Sequence, residues 1–370
     1  MSLDVVTAAL AEHAAEHDRD ASFPHDGIAV VHKHGLLTAT VATRYGGEGA
    51  GLARTADILE ALGAGDPAVA LVTAMTLFTH AAQAREPSWP AELYDELLAE
   101  SRTGPALVNA LRVEPELGSP VRGGLPATIG RRDGDSWLVS GHKIFSTGAL
   151  ALSWLAVWGR TDEDPARVGS FLIRGGSPGV RIEPTWDHLG LRASRSDDVH
   201  LDGVRVPLSS FVTGGSADLR AWNALGLTAL YLGVARSARD WLIAFLHERT
   251  PAALGRPLAT LPRFQAAVGE IEALLVSASA LVRAQAAAHD AGLAVDAGIG
   301  KLIGTRAAIS AVEQAVALVG NNALTRRNPL ERHLRDVLCA RIHTPQDDTI
   351  LAAAGQAALS QHSQLKEQTP

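Results

Sequence analysis

The sequence predicts a mainly α-helical fold with a central β-domain: an N-terminal helical domain, a small β-barrel and a C-terminal four-helix bundle. Two observations predict this architecture. Residues 3–100 and 217–360 carry apolar side chains at helical spacing. Between these two regions, short apolar runs alternate with turn residues, as in a small sheet or barrel. We therefore place the three domains at residues 1–105, 106–212 and 213–370.

The N-terminal domain is predicted as a series of helices. Apolar periodicity indicates helical segments over residues 3–20, 28–37, 52–83 and 91–100, with the third segment split at Gly65-Asp66-Pro67. The glycine-rich stretch 44–51 lies between the second and third segments. It could bring backbone close to a ligand, or it could simply connect two helices.

The middle domain is predicted from short strands bounded by turns. The strands lie near residues 107–111, 137–139, 154–158, 168–173 and 199–206. Asp202-Gly203 divides the last run and predicts a tight hairpin at that point. The stretch 141–149 directly follows a strand and is the most distinctive part of the domain.

The C-terminal domain is predicted as a bundle because long helical segments follow one another with short connections. These segments cover residues 217–248, 263–290, 297–320 and 345–360. The Ala-rich faces around residues 276–289 and 306–319 permit close packing of helices.

Composition and charge narrow the class of protein. Of the 370 residues 46% are apolar, which suits a globular chain with a substantial core. The net charge is −7 and no aromatic-rich basic run occurs, so nucleic acid is not an expected partner.

The cysteine content and the N-terminal residues indicate in which cellular compartment the protein is expected. The single cysteine, Cys339, cannot form an internal disulfide, and no Cys/His cluster at zinc spacing occurs, so we expect a reducing cytoplasm and no metal. The N-terminus lacks a signal-like segment, and no uninterrupted apolar run reaches the roughly 18–20 residues of a membrane span. We therefore expect an unprocessed chain outside the membrane.

Short patches in a fixed order suggest a family. They are Tyr45-Gly46-Gly47 with Gly49, Glu114-Pro115 with Gly118-Ser119, Gly141 with Lys143 and Thr147, Pro178-Gly179, Leu189-Gly190-Leu191-Arg192 with Ser194, Val204 with Val206-Pro207, and Arg335-Asp336. In this order and spacing the chain resembles the acyl-CoA dehydrogenase superfamily of flavoproteins along nearly its whole length. The resemblance implies a flavin-dependent oxidoreductase that binds flavin between the β-domain and the bundle and forms a homodimer or homotetramer.

The resemblance assigns flavin contacts to the segment Phe145-Ser146-Thr147. Phe145 falls where an aromatic ring packs beside the flavin, and Thr147 falls where a hydroxyl bonds the flavin N5 edge. A flat ring and a rigid β-branched hydroxyl suit those tasks. The alternative is a core phenylalanine followed by a surface threonine at a strand end.

Two further patches are assigned to the cofactor by resemblance. Glu114, Gly118 and Ser119 would run along the flavin and the substrate entrance, unless they form an ordinary turn. Gly320-Asn321 would approach the flavin of a neighbouring subunit, although Asn322 replaces the glycine expected next to it.

The chain departs from the family at the catalytic base. Dehydrogenases of this family remove a proton from an acyl thioester with a glutamate. The usual position of that glutamate falls near Thr344 and the alternative position falls near Asn223, and neither residue is a carboxylate. Asp347 or Asp348 could serve as a relocated base, although acids in the first turn of a helix more often complement its dipole.

A side branch of the superfamily dispenses with this glutamate and uses reduced flavin and oxygen to oxidise small molecules. Its members resemble this chain in Phe-Ser-Thr-Gly-Ala and in a histidine after Arg-Asp, which here is His343. An imidazole beside the flavin could donate or relay a proton at neutral pH. The alternative is a histidine that only caps the last helix near Pro345.

The flavin itself is expected to be FAD, with FMN or reduced FMN as the alternative. Relatives that bind FAD across subunits carry an arginine where this chain has Pro251, although Arg249 and Arg256 flank that position. An arginine can bind a pyrophosphate through two hydrogen bonds, so its loss weakens binding of FAD, which contains a pyrophosphate, relative to FMN.

Three functions remain open on the sequence. The first is a monooxygenase acting on a small molecule, supplied with electrons by a flavin reductase. The second is an acyl-CoA dehydrogenase with a relocated base, passing electrons to an electron-transfer flavoprotein. The third is a non-catalytic helical scaffold.

Overall fold

The computed structural model describes residues 2–117, 124–214 and 219–367, with side chains up to residue 360. Ten helices lie in this part of the chain: α1 (Leu3–Asp20), α2 (His25–Lys33), α3 (Leu52–Gly65), α4 (Pro67–Arg85), α5 (Ala91–Thr103), α6 (Leu227–Glu248), α7 (Pro262–Asp290), α8 (Ala297–Val319), α9 (Leu330–Leu338) and α10 (Asp347–Glu367). The helical split at Asp66 is confirmed: its side chain accepts hydrogen bonds from the amides of Ala68 and Val69 and so caps α4.

The middle of the chain forms one eight-stranded sheet. Its strands are β1 (Leu107–Leu111), β2 (Ile129–Asp133), β3 (Ser136–Lys143), β4 (Leu152–Thr161), β5 (Val168–Arg174), β6 (Val180–Glu183), β7 (Asp198–Pro207) and β8 (Phe211–Val212). They run in the order β6-β7-β3-β2-β4-β5-β8, and β1 pairs in parallel with β4. The predicted α/β/α order of the chain is therefore confirmed.

The hairpin predicted at Asp202-Gly203 is wrong. β7 runs without a break through both residues and pairs along its length with β3. The pairing shifts between Val139 and Gly141, so that Asp202 and Gly203 both lie opposite Ser140. Gly203 has a φ of +58°, and its amide donates to the Ser140 hydroxyl at 3.0 Å. The glycine signal thus marks a β-bulge, for which a left-handed residue is also needed.

A close helix crossing joins the N-terminal helices to the bundle. At Gly63 of α3 an added Cβ would lie 2.2 Å from the Leu230 carbonyl oxygen, and at Gly233 of α6 it would lie 2.1 Å from the Glu60 carbonyl oxygen. Any larger residue at either position would push the two backbones apart. These glycines let α3 and α6 share one apolar core, and that core extends into the sheet through Val139.

The bundle holds one helix, α9, that is not among the segments predicted from the sequence, although its nine residues carry apolar side chains at helical spacing, at Leu330, Leu334 and Val337. α7 and α8 are long and apolar enough to cross a membrane by length and composition alone. In α8 more than half of the most apolar window is buried inside the protein, as expected of a bundle core helix. The expectation that the chain lies outside the membrane stays a prediction.

Replacing His80 with glutamine should make the unfolding free energy less dependent on pH. His80 is fully buried on α4, and this burial lowers its pKa to about 4. Below about pH 6.5 the unfolded chain therefore binds a proton at His80 that the folded chain binds only near pH 4. The free energy of unfolding of wild type consequently falls as the pH falls. Between pH 7.5 and pH 5, wild type should lose about 2 kcal/mol more than His80→Gln.

Urea titrations at the two pH values measure this difference. A lower stability of the variant at both pH values does not affect the test, because only the change in stability between the two pH values is compared. The exposed His25→Gln is the matched control and should follow wild type. Equal pH dependence of His80→Gln and wild type would contradict a buried neutral imidazole.

Candidate functional site

A buried ion pair fixes the end of β3, where the predicted flavin-facing segment begins. The Lys143 ammonium lies 2.7 Å from a Glu114 carboxylate oxygen, and both side chains are almost completely buried. Glu114 also accepts hydrogen bonds from the Thr128 hydroxyl and from the amides of Ala127 and Thr128. Burial alone would raise the pKa of Glu114, but Lys143 and these hydrogen bonds together hold that pKa below its usual value.

The Glu114 carboxylate is therefore fully engaged inside the protein, so only the backbone of Glu114 could make the predicted contact with a cofactor. Gly118 and Ser119, the other two residues of that patch, lie outside the described residues.

Phe145 projects outward from a strained backbone. Its φ is +55°, a left-handed value that costs a residue with a side chain roughly 1–2 kcal/mol. Phe145 is 53% exposed, and its ring makes edge-to-face contacts with Trp186 and His188, whose own ring centres stack 3.6 Å apart. The alternative interpretation of Phe145 as a core residue is not what the structure shows. Strain that holds an aromatic ring open to solvent suggests a ligand-facing role.

The two hydroxyls that follow Phe145 point inward. Ser146 is buried, and its hydroxyl oxygen has no hydrogen-bond partner among the described residues. Thr147 is 8% exposed, so it is not a surface threonine, and its hydroxyl lies 3.0 Å from that of Ser196. Asn109 donates to the Thr147 carbonyl at 3.0 Å and fixes the backbone there. A buried hydroxyl without a partner is uncommon and calls for an explanation.

The loop 186–191 connects this segment to the bundle. The Trp186 indole donates to the Leu191 carbonyl at 3.1 Å, and the Leu191 amide donates to the Asp336 carboxylate of α9 at 2.7 Å. A Cβ added at Gly190 would lie 2.3 Å from the Arg335 carbonyl oxygen, so α9 and the loop touch backbone to backbone. Burial raises the pKa of Asp336 to about 7. Arg335-Asp336 is thus a structural element between the two domains.

Asn223 and Thr344, the residues near which a catalytic glutamate is expected from the family resemblance, lie side by side. Asn223 sits in a π-helical turn, Trp222–Gly226, that leads into α6. Its side-chain amide donates to the Thr344 carbonyl at 2.6 Å. Sequence positions 121 residues apart therefore meet in one place, and neither supplies a carboxylate.

His343 lies directly beside these positions and bonds to Tyr231 of α6. The His343 Nε2 atom and the Tyr231 hydroxyl are 2.7 Å apart. Burial, helped by the nearby Lys301 charge, lowers the pKa of His343 to about 4. Burial also raises the pKa of Tyr231 well above its usual value. At neutral pH both groups are therefore uncharged and each carries one transferable proton.

Asp347 and Asp348 both begin α10 and both have partners. Asp347 forms an ion pair with Arg306 of α8 at 3.0 Å and lines a cavity of about 270 Å³ that Arg341 also lines. The Asp348 carboxylate accepts from the Thr349 amide at 2.8 Å. These contacts suit acids that stabilise a helix start. A role of either residue as base stays a prediction.

Lys301 is a buried residue of this region that is not among the residues predicted from the sequence. It is 1% exposed on α8, and its ammonium has no hydrogen-bond partner among the described residues. Burial lowers its pKa, which the charge of Asp347 opposes. The available signal was a single lysine in the apolar run Ile299–Ile303. A buried, unpaired ammonium close to His343 favours negative charge at this site.

The remaining predicted contacts lie on the surface. Gly320, with a φ of +58°, and Asn321 are exposed at the end of α8. Arg249 and Arg256 are exposed on the connection between α6 and α7. Contact of these residues with a cofactor stays a prediction.

Models of known protein families and a known bacterial protein match most of this chain. The chain matches the acyl-CoA dehydrogenase N-terminal domain over residues 3–84, the middle domain over 112–204 and the C-terminal domain over 225–347. It is 33% identical over 347 residues to "Putative acyl-CoA dehydrogenase YdbM" of Bacillus subtilis (strain 168), covering 91% of this chain and 90% of that one.

The solved structures that share the fold include those of KijD3 and of butyryl-CoA dehydrogenase. KijD3 in complex with FMN and dTDP-3-amino-2,3,6-trideoxy-4-keto-3-methyl-D-glucose is 27% identical, with a TM-score of 0.82 over 97% of this chain and 92% of that one. Butyryl-CoA dehydrogenase from Megasphaera elsdenii is 22% identical, with a TM-score of 0.85 over 96% of this chain and 97% of that one. The chain belongs to the acyl-CoA dehydrogenase superfamily of flavin-dependent oxidoreductases.

Proposed function

We propose that this protein is a monooxygenase that uses reduced FMN and O2 to oxidise a small molecule. One observation carries the proposal: the side-chain amide of Asn223 donates to the Thr344 carbonyl, and no carboxylate stands at either of these residues, near which the family resemblance puts the catalytic glutamate. Without that base, removal of a carbon-bound proton from an acyl thioester lacks its acceptor. The neighbouring His343–Tyr231 pair instead offers neutral groups that exchange protons with oxygen or nitrogen atoms.

The residues around Phe145 fit a flavin. The exposed Phe145 ring offers an aromatic surface, and the buried Ser146 hydroxyl lacks a partner among the described residues. Thr147 would bond the flavin N5 edge in place of, or together with, its bond to Ser196. FMN is favoured over FAD because Pro251 stands where a pyrophosphate-binding arginine is expected and because KijD3 was solved with FMN.

When bound and reduced, the flavin would supply the two electrons with which O2 is split between product and water. The chain would supply the protons and the closed environment. A Tyr231 hydroxyl that donates to the His343 Nε2 leaves the ring proton on Nδ1, from which it can be passed on. The Lys301 ammonium would stabilise negative charge that develops nearby.

Electrons would come from a separate flavin reductase. We also propose that the enzyme is cytoplasmic and forms a homo-oligomer.

Oxygen labelling tests the proposal. Protein loaded with FMN is reduced without oxygen, mixed with a panel of small amines, heterocycles and phenols, and then exposed to 18O2. We expect one 18O atom in a product and one in water. Rapid substrate-dependent bleaching of oxidised flavin by an acyl-CoA in the absence of oxygen would contradict it.

That second outcome would support the acyl-CoA dehydrogenase, which the similarity to YdbM also favours. Its base would then have to be Asp347 or Asp348. In that case the double substitution Asp347→Asn with Asp348→Asn should abolish exchange of the substrate α-proton while flavin stays bound.

Two substitutions at Phe145 separate backbone strain from flavin binding. At a φ of +55°, glycine avoids the clash of a Cβ atom, so Phe145→Gly should be more stable than Phe145→Ala by about 1 kcal/mol. At an ordinary helix or strand position the order would be reversed. Both variants lose the ring and should bind FMN about 2- to 10-fold more weakly than wild type. Urea unfolding and fluorescence titration measure the two effects, and a more stable alanine variant would contradict the strained geometry.

A further inference from the structure

We propose that His142, Asp198 and His200 form a binding site for a divalent transition metal, with Zn²⁺ as the natural candidate. The site lies on the β-sheet and is separate from the His343–Tyr231 pair. The three side chains are partly exposed, and their potential ligand atoms all lie within 4.8 Å of one another.

Sheet register brings these residues together. His142 of β3 is the direct cross-strand partner of His200 of β7, and Asp198 lies two residues before His200 on the same strand. Side chains at i and i+2 share one face of a sheet, and direct cross-strand partners share it too. Glu183 of β6 pairs with Asp198 and so joins the same face. The four side chains therefore form one polar cluster on three adjacent strands.

The cluster is already compact. The two imidazole rings stack with their centres 4.0 Å apart, His142 Nε2 lies 2.7 Å from an Asp198 oxygen, and His200 Nε2 lies 2.9 Å from a Glu183 oxygen. Ligand atoms of one tetrahedral zinc ion lie roughly 3.4 Å apart, given bonds of about 2.1 Å. Rotation of the imidazole side chains would close the remaining gap, and a bound ion would take the place of the direct contacts between the histidines and the carboxylates.

The chemical nature of the three ligand atoms determines which metal ions would bind most tightly. Two imidazole nitrogens and one carboxylate oxygen suit Zn²⁺, Cu²⁺ or Ni²⁺ better than Ca²⁺ or Mg²⁺, which prefer oxygen ligands. The Thr185 hydroxyl donates to the other Asp198 oxygen at 2.8 Å and would hold that carboxylate in place. Glu183 offers a fourth ligand, although it also pairs with Arg181 on the same face.

A metal here would stabilise the edge of the sheet next to the flavin-facing segment. β6 is the terminal strand of the sheet, and the site would tie it to β7 and β3. His142 lies three residues before Phe145 on the same stretch of chain. The role proposed is therefore structural, and it does not depend on the reaction that the flavin performs.

Zinc titration of the full-length, untagged protein tests the site. After treatment with a chelator, calorimetry with Zn²⁺ should show one equivalent bound, and Zn²⁺ should raise the melting temperature. The double variant His142→Asn with His200→Asn should bind at least about 100-fold more weakly, and Asp198→Asn at least about 10-fold more weakly, since loss of outer-shell partners alone costs 10- to 100-fold.

The matched control is the double variant His13→Asn with His17→Asn. These two histidines also lie near a shared carboxylate, Asp26, but on α1. The control should keep full affinity. Binding that survives in the His142/His200 double variant, binding lost in the control, or no stoichiometric binding to wild type would each overturn the proposal.

Discussion

Lys143→Met is expected to lower the free energy of unfolding by about 3–5 kcal/mol. The substitution removes an ammonium that is 0% exposed and leaves the Glu114 carboxylate buried without its counter-charge. The remaining bonds from Thr128 and Ala127 satisfy the carboxylate oxygens but do not neutralise them. An uncompensated buried charge is far more costly than the ion pair that it came from.

Urea unfolding measures this loss, and two further variants interpret it. Lys33→Met removes an exposed lysine and should change stability by no more than about 0.5 kcal/mol. Combining Lys143→Met with Glu114→Gln should restore much of the stability, because the orphaned charge is then gone. A double variant that loses the full sum of both single effects would show that charge pairing is not the cause.

The fold could be predicted from the sequence wherever a pattern extends over many residues. Long helices such as α1 and α4 bury one face or all faces, so their apolar spacing is visible in the chain. The strand β6 is missing from the prediction because its four residues are too few to show a period. The helix α9 is also missing, although its nine residues do carry an apolar face at helical spacing. Gly203 was assigned to the wrong structure, because a hairpin turn and a bulge both require a left-handed residue.

The site was only partly predictable. Phe145 and Thr147 are predicted as flavin contacts because a local motif that resembles the family carries them, and that role stays a prediction. The structure gives Phe145 a left-handed backbone and an exposed side chain, and it buries Thr147. The contact between Asn223 and Thr344 could be expected only through the family resemblance, since nothing local relates them. The cluster of His142 and His200 has no sequence signal, because its members meet through strand register. The absence of a spaced Cys/His motif therefore does not exclude a metal site whose ligands come from different strands.

His343→Asn is expected to slow substrate oxidation by roughly 10²- to 10⁴-fold if the proposed monooxygenase reaction is correct. Asparagine fills a similar space and can still bond to the Tyr231 hydroxyl, so the fold should persist. It cannot take up one proton while releasing another, which the neutral imidazole can do. Because the pKa of His343 is about 4, the ring is neutral from pH 6 to 8, and wild-type rates should not follow its titration in that range.

Single-turnover mixing of the reduced, FMN-loaded enzyme with O2 and substrate measures this effect directly. Tyr231→Phe should lower the same rate by a smaller factor, because His343 keeps its ring but loses the partner that fixes its tautomer. His247→Asn changes an exposed histidine on the same helix as Tyr231 and should leave the rate unchanged. A solvent deuterium isotope effect on product formation, present in wild type and reduced in His343→Asn, would separate proton transfer from a purely structural role. An unchanged rate in His343→Asn would remove His343 from the chemistry and leave Tyr231 or Lys301 as the group to test next.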